Sequence, residues 1–388
     1  MTNSRAILVL WIAVLALCPR SLAAQSFTMS ALQVSPDGSA VAVGYVDGQL
    51  QLYDASTGIV IRTLQPSGEY VYGLAWSPDG TRLATISFDG DVNVWEVQTG
   101  TLLISLNTTQ AADIIPHTSS LTGVSWSPDG QQIAVSGQNG GTVVLDASIG
   151  YAVHRLERGE TYGNTWAPLQ KLVTSTYVGL YVWSSGTQNQ FIPGIPPPGF
   201  IPYRVAYAPN GTSLAAIVTD YSLVGDNLVA TGVLRLFDPV TLNPIASVDI
   251  FQHAAPPRME WSSDATHIAI SGTDGFVRVW EAESLELIDE IAIGSSYMAF
   301  DWLGPDQIVY VQDSGSLEVV PVEGITSDLT GTITLPSRTP GTAAYAVPLS
   351  VKLADAGGAL VSEHSPTTDV NGTFTLQDLP QGTYGVWL

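Results

Sequence analysis

The stretch from Trp76 to Gly100, WSPDGTRLATISFDGDVNVWEVQTG, decides the fold of this chain. Its apolar residues alternate with polar ones, and turn-forming residues separate the alternating runs, which is typical of short β-strands. In Ser77-Pro78-Asp79-Gly80, proline presets φ, aspartate bonds to its own backbone and glycine supplies a positive φ. This motif therefore predicts a tight turn between a first and a second strand, and Asp89-Gly90 predicts the next turn.

The same pattern recurs along most of the chain. Related turn motifs begin at Ser35, Ser127, Ala208 and Ser262, and degenerate copies lie at Gly304 and around Trp166-Ala167-Pro168. Self-similarity at a period of roughly 40–50 residues indicates the four-stranded blades of a propeller. Blade starts near residues 31, 71, 121, 162, 202, 256 and 296 give seven blades, with six or eight as alternatives because the fourth and seventh copies are weak. We predict an all-β chain with a seven-bladed β-propeller.

The third strands share an ending, an aromatic or large apolar residue that is mostly followed by an acid. These endings are Tyr53-Asp54, Trp95-Glu96, Leu145-Asp146, Trp183-Ser184, Phe237-Asp238 and Trp280-Glu281. The pattern resembles the WD-repeat family, which implies a propeller that acts as an interaction scaffold and leaves the partner open. The Gly-His pair that opens a typical eukaryotic WD repeat is missing, so we expect the buried hydrogen-bond network that it supports to be absent. The Ser-Pro-Asp-Gly turns also resemble those of bacterial periplasmic propellers similar to the Tol-system protein.

Closure of the ring depends on the seventh copy, which lacks a convincing fourth strand. A ring that stayed open would leave two bare sheet edges. We therefore expect residues around Phe27-Thr28-Met29 to pair with the last blade and close the propeller.

Residues 1–24 are expected to form a secretory signal peptide. An apolar run from Ala6 to Cys18 follows Arg5, and the small residues of Ser21-Leu22-Ala23-Ala24 come next. The run is shorter than the roughly 20 residues that a membrane-spanning helix needs. Leu17 is too large for a lipoprotein box at Cys18, so we expect cleavage after Ala23 or Ala24 and a secreted or cell-envelope location, in a bacterial setting.

The amino-acid composition excludes some classes of binding partner and of metal site. The formal charge is −22, from 35 acidic and 13 basic residues. Nucleic acid is excluded as a partner because no cationic surface is available to neutralise phosphates. The acidity suits the solubility of an exported protein. No cysteine remains after residue 24, so neither disulfides nor a cysteine metal site is predicted.

Residues 331–388 depart from the repeat and are predicted to form a small β-sandwich. The series Asn371-Gly372-Thr373-Phe374 and Leu379-Pro380-Gln381-Gly382-Thr383-Tyr384 resembles carboxypeptidase-regulatory-like and related immunoglobulin-like modules. The sequence stops at Leu388 in the middle of an expected strand, so we expect this module to be incomplete and the chain to be a fragment of a longer polypeptide. The predicted domains are the propeller at 25–324, a linker at 325–330 and this module at 331–388.

The sequence contains no recognised catalytic motif. A phosphate loop, a Gly-x-Ser-x-Gly elbow and a His-Glu-x-x-His helix are all missing, and the five histidines are scattered. We therefore predict no catalytic, cofactor-binding or metal site. The repeated acids are assigned a structural role in turns, where an aspartate bonds to its own backbone. They are Asp37, Asp79, Asp129, Asp89 and Asp274.

The insertions in the repeats point to a contact surface. Residues 108–120, 191–202 and 220–231 interrupt the pattern, and strand alternation places all three on one face of the disk. The middle insertion is apolar and rich in proline, and exposed surface of that kind often marks a contact. We predict that a protein partner binds there through Phe191, Ile192, Ile195 and Phe200, the alternative being a loop that packs on the neighbouring blade.

Two function classes follow. The first is a secreted or surface-displayed propeller that is a non-catalytic protein-interaction scaffold. The second is an exported propeller that binds or acts on glycans at the mouth of its channel. A pair of acids or histidines meeting at the channel mouth, beside a cleft able to hold a sugar, would favour the second class.

Overall fold

The computed structural model describes residues 29–332 with gaps, and four later segments at 351–354, 360–364, 373–380 and 385–387. The gaps are 65–69, 88, 108–120, 139, 157–158, 168–169, 177–178, 185–186, 194–200, 225–226, 252–257, 273, 295–298, 313–314 and 324. The backbone alone is described at 29, 187–193, 201–203, 220–224, 227–230, 251, 326–332 and the four later segments.

The described part of the propeller has seven blades, as predicted, and each blade is an antiparallel meander. Blade 1 consists of β1 (Met29–Val34), β2 (Ala40–Tyr45), β3 (Leu50–Asp54) and β4 (Val60–Leu64). Blade 2 consists of β5 (Val71–Trp76), β6 (Arg82–Ser87), β7 (Asp91–Glu96) and β8 (Thr101–Asn107). Blade 3 consists of β9 (Leu121–Trp126), β10 (Gln132–Gly137), β11 (Gly141–Asp146) and β12 (Ala152–Leu156). Blade 4 consists of β13 (Thr161–Ala167), β14 (Lys171–Thr176), β15 (Gly179–Ser184) and β16 (Thr187–Pro193).

The remaining blades vary in size. Blade 5 consists of β17 (Ile201–Tyr207), β18 (Leu214–Val224), β19 (Asn227–Phe237) and β20 (Pro244–Phe251). Blade 6 consists of β21 (Met259–Trp261), β22 (His267–Ser271), β23 (Phe276–Glu281) and β24 (Leu287–Ala292). Blade 7 has three described strands, β25 (Phe300–Trp302), β26 (Gln307–Val311) and β27 (Leu317–Pro321). The insertion expected at 220–231 is a regular extension of the β18–β19 hairpin, in which Asp220 pairs with Thr231.

The core lies between the blades. Seven clusters of buried apolar side chains occur, one at each interface between neighbouring blades. The interface of blades 1 and 2, for example, buries Leu52, Leu83 and Trp95. Because each sheet has an apolar face on both sides, only packing against two neighbours removes that surface from water.

The predicted turn is present at the end of the first strand in blades 1, 2, 3, 5 and 6, where the N–H of its fourth residue donates to the carbonyl of its first. The Ser77 hydroxyl donates to Asp79 Oδ1 at 2.6 Å, and the Gly80 N–H donates to the Ser77 carbonyl at 2.8 Å. Gly80 has a φ of 68°. The degenerate copies place Gln170 and Ala265 in the same left-handed conformation, with φ of 58° and 63°.

The network expected to be absent without the Gly-His pair persists in part. In blade 2 the Trp95 indole donates to Thr85 Oγ1 at 3.4 Å, and in blade 4 the Trp183 indole donates to Thr174 Oγ1 at 3.0 Å. Each bond links the third strand of a blade to its second strand. A tryptophan and a threonine are therefore sufficient for this link.

The expectation that Phe27-Thr28-Met29 pairs with the last blade is wrong for Met29. This residue pairs with Tyr45 at the start of the innermost strand of blade 1, while residues 27 and 28 lie outside the described residues. The ring closes instead through contacts between β1 and β25, the innermost strands of blades 1 and 7.

The C-terminal segments form two small sheets. The strand β28 (Thr326–Thr332) pairs with β31 (Thr373–Pro380), while β29 (Val351–Ala354) pairs with both β30 (Leu360–His364) and β32 (Gly385–Trp387). Residues 326–330, expected in a linker, thus belong to a strand. Ile325 was also expected in the linker, but it is buried in the apolar cluster between blades 6 and 7. The other domain limits, and the kind of module that these strands form, stay predictions.

Candidate functional site in the central channel

The central channel is lined by the first strand of each blade. Near its end each strand has a large apolar residue, and these are Val34, Trp76, Trp126, Trp166, Tyr207, Trp261 and Trp302. These residues serve as a common reference, so positions counted back from them can be compared between blades. Three positions earlier, five blades have a small residue, and these are Ala31, Gly73, Gly123, Gly163 and Ala299. Blades 5 and 6 have arginines there, Arg204 and Arg258.

One position before the same residue, two neighbouring blades carry acids. These are Glu260 of blade 6 and Asp301 of blade 7. Arg204, Arg258 and Glu260 line a cavity of about 200 Å³ between the first strands. The glycines of blades 2–4 line the same cavity, whereas the charged side chains come from blades 5–7. We call Arg204, Arg258, Glu260 and Asp301 the channel quartet.

Arg258 links blades that are not neighbours. Its Nη2 donates to the Ser30 carbonyl of blade 1, and its backbone N–H donates to Ser271 Oγ at 3.2 Å within blade 6. Burial, and next the charge of Arg204, lower the pKa of Arg258 to about 10. The guanidinium is therefore charged at neutral pH and forms a charged link across the channel.

Asp301 joins blade 7 to blade 1. The Val34 N–H donates to its Oδ2 at 2.7 Å, and the Trp302 N–H donates to its Oδ1 at 2.7 Å. Burial nevertheless raises the pKa of Asp301 to about 6, because it outweighs the two backbone donors and the charge of Arg258. The carboxylate that contributes to ring closure thus titrates close to neutral pH.

Glu260 interacts electrostatically with both arginines and with Asp301. Burial, and next the negative charge of Asp301, raise the pKa of Glu260 to about 8, against the opposing effect of Arg258 and Arg204. The two acids interact, so they titrate as a pair. Burial and the mutual repulsion of the two acids therefore favour a proton on the pair, an arrangement that can donate a proton.

Two tyrosines complete this part of the channel. The rings of Tyr70 and Tyr72 stack with centroids 6.0 Å apart, and Tyr72 lines the cavity. The channel therefore combines fixed positive charge, a titrating acid pair and aromatic surface.

The predicted partner-binding residues lie elsewhere. Phe191 and Ile192 belong to β16, the outermost strand of blade 4, where their backbones pair with Tyr181 and Leu180. They are thus part of a strand rather than of a free insertion, and their side chains are outside the described atoms. Ile195 and Phe200 fall in the gap at 194–200, so binding by these residues stays a prediction.

The turn aspartates have local partners. Asp37 and Asp129, like Asp79, each accept a bond from the serine two positions earlier at 2.6 Å. Asp89 accepts a bond from the Ser87 hydroxyl. Asp274 accepts the Phe276 N–H at 3.2 Å and forms an ion pair with Arg278 at 2.7 Å. Asp37, Asp79 and Asp129 also accept the backbone N–H two positions later, at 3.0–3.1 Å. All of these contacts are local to their turns, as expected for turn-forming aspartates.

The channel quartet was missed by the search for motifs. A signal was present in the sequence, because Arg204 and Arg258 occupy a repeat position that is small in the other blades. Such a break in a repeat becomes visible only when blades are aligned on their first strands. The meeting of Glu260 with Asp301 further requires that neighbouring blades be placed side by side.

Comparison with known proteins identifies the repeats. Three segments match the family model described as WD domain, G-beta repeat, at residues 58–96, 109–145 and 247–281. The matched segments end in the third strands of blades 2, 3 and 6. The match at 247–281 starts within the outermost strand of blade 5, and the match at 58–96 starts just before the outermost strand of blade 1. These sequence repeats are thus staggered against the blades.

A solved structure shares the architecture. A chain titled Kuenenia stuttgartiensis hydrazine synthase is 14 % identical, with a TM-score of 0.63, over 77 % of this chain and 97 % of that chain. At this identity the likeness shows the fold alone. No curated protein matches this chain.

Among the residues that the structure describes, no helix is long and apolar enough to cross a membrane. The same residues hold no cluster of three or more histidine, cysteine or acidic side chains that could bind a metal ion. WD-repeat propellers mainly serve as interaction scaffolds, and the fold of this chain favours that class.

Proposed function

We propose that this chain is an extracytoplasmic protein-interaction scaffold whose partner contacts the outer edge of blades 1–3. The observation that carries the proposal is an apolar rim at the start of three successive outermost strands. Its residues are Ile59, Ile61, Leu102, Leu103, Tyr151 and Val153. Exported location rests on the N-terminal signal alone.

The side chains of the apolar rim are strongly exposed to solvent. Ile59 is 64 % exposed, Ile61 56 % and Tyr151 68 %, although an isoleucine or tyrosine side chain gains from burial. β4, β8 and β12 are each the last strand of their sheet, so the rim borders three open strand edges within the described residues. Clustered apolar surface of this kind marks protein interaction sites more often than isolated exposed residues do.

The test is capture of a partner from the envelope and medium of the native host with the chain as bait. We expect a protein that is retained by the wild type and lost from the triple variant Ile61→Ser, Leu103→Ser, Tyr151→Ser. Val240→Ser is the matched control, because Val240 is equally exposed, at 71 %, but lies on blade 5. Equal retention by all three proteins would place the contact elsewhere.

The same capture tests the predicted insertion. The double variant Phe191→Ala, Phe200→Ala should lose the partner if that segment is the anchor, while the rim variant keeps it. Melting curves of all variants separate lost contacts from lost folding.

A glycan-directed activity is the second candidate, and the acid pair of the channel quartet favours it. Glu260 and Asp301 interact electrostatically, and retaining glycosidases use two neighbouring carboxyl groups. The cavity of about 200 Å³ is smaller than the roughly 300–1,000 Å³ of common ligand sites. Glu260→Gln should abolish glycan retention or cleavage on a glycan panel and leave partner capture intact, whereas equal glycan signals would exclude this candidate.

A further inference from the structure

A second cavity of about 200 Å³ lies at the interface of blades 3 and 4. By the same measure a single water needs roughly 10–15 Å³, so this space exceeds a packing defect. We call it the blade 3–4 cleft. Its polar lining comes from Asp129, Gln132, His154 and Gln170, and its aromatic lining from Trp166 and Trp183.

At the preceding interface, between blades 2 and 3, an arginine side chain fills the corresponding space. There the Arg82 guanidinium of blade 2 lies 4.7 Å from the centre of the Trp126 ring of blade 3. Its Nη1 donates to the Ala147 carbonyl at 2.9 Å and its Nη2 to the Gly130 carbonyl at 3.0 Å. Arg82 thus combines a cation–π contact with two bonds to backbone oxygens.

Gln132 occupies the position of Arg82 in the next blade. The equivalence follows from the turn, because the Ser77 N–H donates to the Arg82 carbonyl as the Ser127 N–H donates to the Gln132 carbonyl. Trp166 likewise takes the place of Trp126. The shorter glutamine leaves the aromatic ring uncovered, and the cleft opens where the guanidinium would lie.

A second replacement widens the cleft. His154 pairs with Val144 as Ile104 pairs with Val94 in blade 2, and Ile104 is buried whereas His154 is partly exposed. The interface also has the smallest apolar cluster among those described, with five buried residues. The floor of the cleft remains apolar, which suits the methylene stem of a long side chain.

The charge in the cleft is negative. A bond from the Ser127 hydroxyl is the largest cause that lowers the pKa of Asp129, and the Gln170 amide adds to it. Asp129 is therefore ionised at neutral pH. The indole N–H of Trp166 is buried and has no acceptor among the described residues, whereas that of Trp126 donates to the Ala75 carbonyl at 2.8 Å.

We propose that the blade 3–4 cleft binds an arginine side chain of the partner protein. The guanidinium takes over the place that Arg82 fills one blade earlier, above Trp166 and with Asp129 as its counter-ion. Arginine is a common anchor of interfaces because its planar charge stacks on aromatic rings. This proposal rests on the scaffold function and names the chemistry that the partner presents.

The direct test uses N-acetyl-arginine amide and observes the indole N–H resonances by NMR, with that of Trp166 assigned from Trp166→Phe. We expect saturable movement of the Trp166 resonance. N-acetyl-citrulline amide, which has the same shape without the charge, should bind about tenfold or more weakly, the scale of a desolvated cation–π contact. Equal binding of the two probes, or no movement of Trp166, would overturn the proposal.

Two substitutions test the cleft in opposite ways, one by filling it and one by emptying the equivalent space at the neighbouring interface. Gln132→Arg should fill the cleft from within and abolish movement of the Trp166 resonance. Arg82→Gln should empty the neighbouring interface and create a second site, seen as new movement of the Trp126 resonance. If Gln132→Arg fails to fold, Asp129→Asn is the substitute, since it keeps an acceptor for the turn but should weaken binding of the arginine probe.

The outcome is separable from that of the scaffold proposal. Probe binding requires no partner, so it tests the cleft alone. Partner capture that survives Gln132→Arg while the probe no longer binds would show that the scaffold function does not use this arginine. Loss of both would support the proposal.

Discussion

At the scale of single residues, Glu260 lies in an environment that strongly opposes the ionisation of its carboxyl group. Its folded pKa, raised by burial and by Asp301, lies above the ordinary 4.5 of a glutamate. For a raised pKa, the stabilising contribution is complete below about pH 4.5 and is lost as the pH rises through about 8. The turn acids behave oppositely. Hydrogen bonds lower the pKa of Asp79, so its contribution is present above pH 3.8 and is lost on further acidification.

We expect Glu260→Gln to change the pH dependence of melting. Below about pH 4.5 the variant and the wild type should melt alike, because Glu260 is then neutral in both the folded and the unfolded chain. At pH 8 and above, the variant should melt higher, on the order of a few degrees, because it never needs to hold a second negative charge beside Asp301. Melting temperatures of the variant and the wild type, measured from acidic pH to above pH 8, test this prediction.

The control for this measurement is Glu286→Gln, since Glu286 is exposed on a turn of blade 6. The melting temperature of that variant should follow the same pH dependence as that of the wild type. If the melting temperature of Glu260→Gln also follows the wild-type pH dependence, the channel hydrates the carboxylate as well as bulk water does.

At the scale of elements, the turns show how residue chemistry fixes blade geometry. Gly38, Gly80, Gly130 and Gly211 adopt φ of 72°, 68°, 67° and 72° after the aspartate or asparagine of the turn. Blade 6 has Ala265 at this position, with a φ of 63°. A Cβ in the left-handed region costs about 1 kcal/mol, so this turn is strained relative to its copies.

Ala265→Gly should therefore stabilise the propeller by about 0.5 kcal/mol, the relief of that strain less the entropy that glycine loses on folding. Ala246→Gly is the matched control, because Ala246 lies within the extended strand β20, where glycine destabilises by roughly 0.5–1 kcal/mol. Denaturant unfolding measures both. Destabilisation by both variants would mean that the turn in blade 6 tolerates the alanine without strain.

Elements were also the scale at which the sequence was most informative. The turn motif and the alternation around Trp76 to Gly100 were sufficient to predict four-stranded blades and their number, because both features are local. The extension of β18 and β19 was interpreted as an insertion, since its residues follow no repeat. The pairing of Met29 was mistaken because the ends of a ring meet only after the whole chain has folded.

At the scale of the whole molecule, closure relies on polar groups at the centre and apolar groups between blades. Asp301 receives the Val34 N–H from blade 1, and Arg258 reaches Ser30 of the same blade. These contacts join residues more than two hundred positions apart. No local pattern encodes them, which is why the channel quartet could not be derived from motifs.

The C-terminal limit of the propeller is set by the same packing. The sequence suggested an end at Gly324, but Ile325 is only 6 % exposed and belongs to the cluster that contains Phe300 and Val322. A chain ending at Gly324 should thus be less stable than one ending at Ser327, by about 1.5–3 kcal/mol, the value of burying an isoleucine side chain. Denaturant unfolding of the two truncated chains measures the difference.

The full-length variant Ile325→Ala controls for effects of the new chain end and should lose a similar amount, because it removes the same buried side chain. The chain ending at Ser327 should unfold like the propeller of the full chain, since β28 beyond Ser327 pairs with β31 rather than with a blade. If it is instead as unstable as the shorter chain, the C-terminal strands support the propeller, and the two parts of the molecule form one cooperative unit.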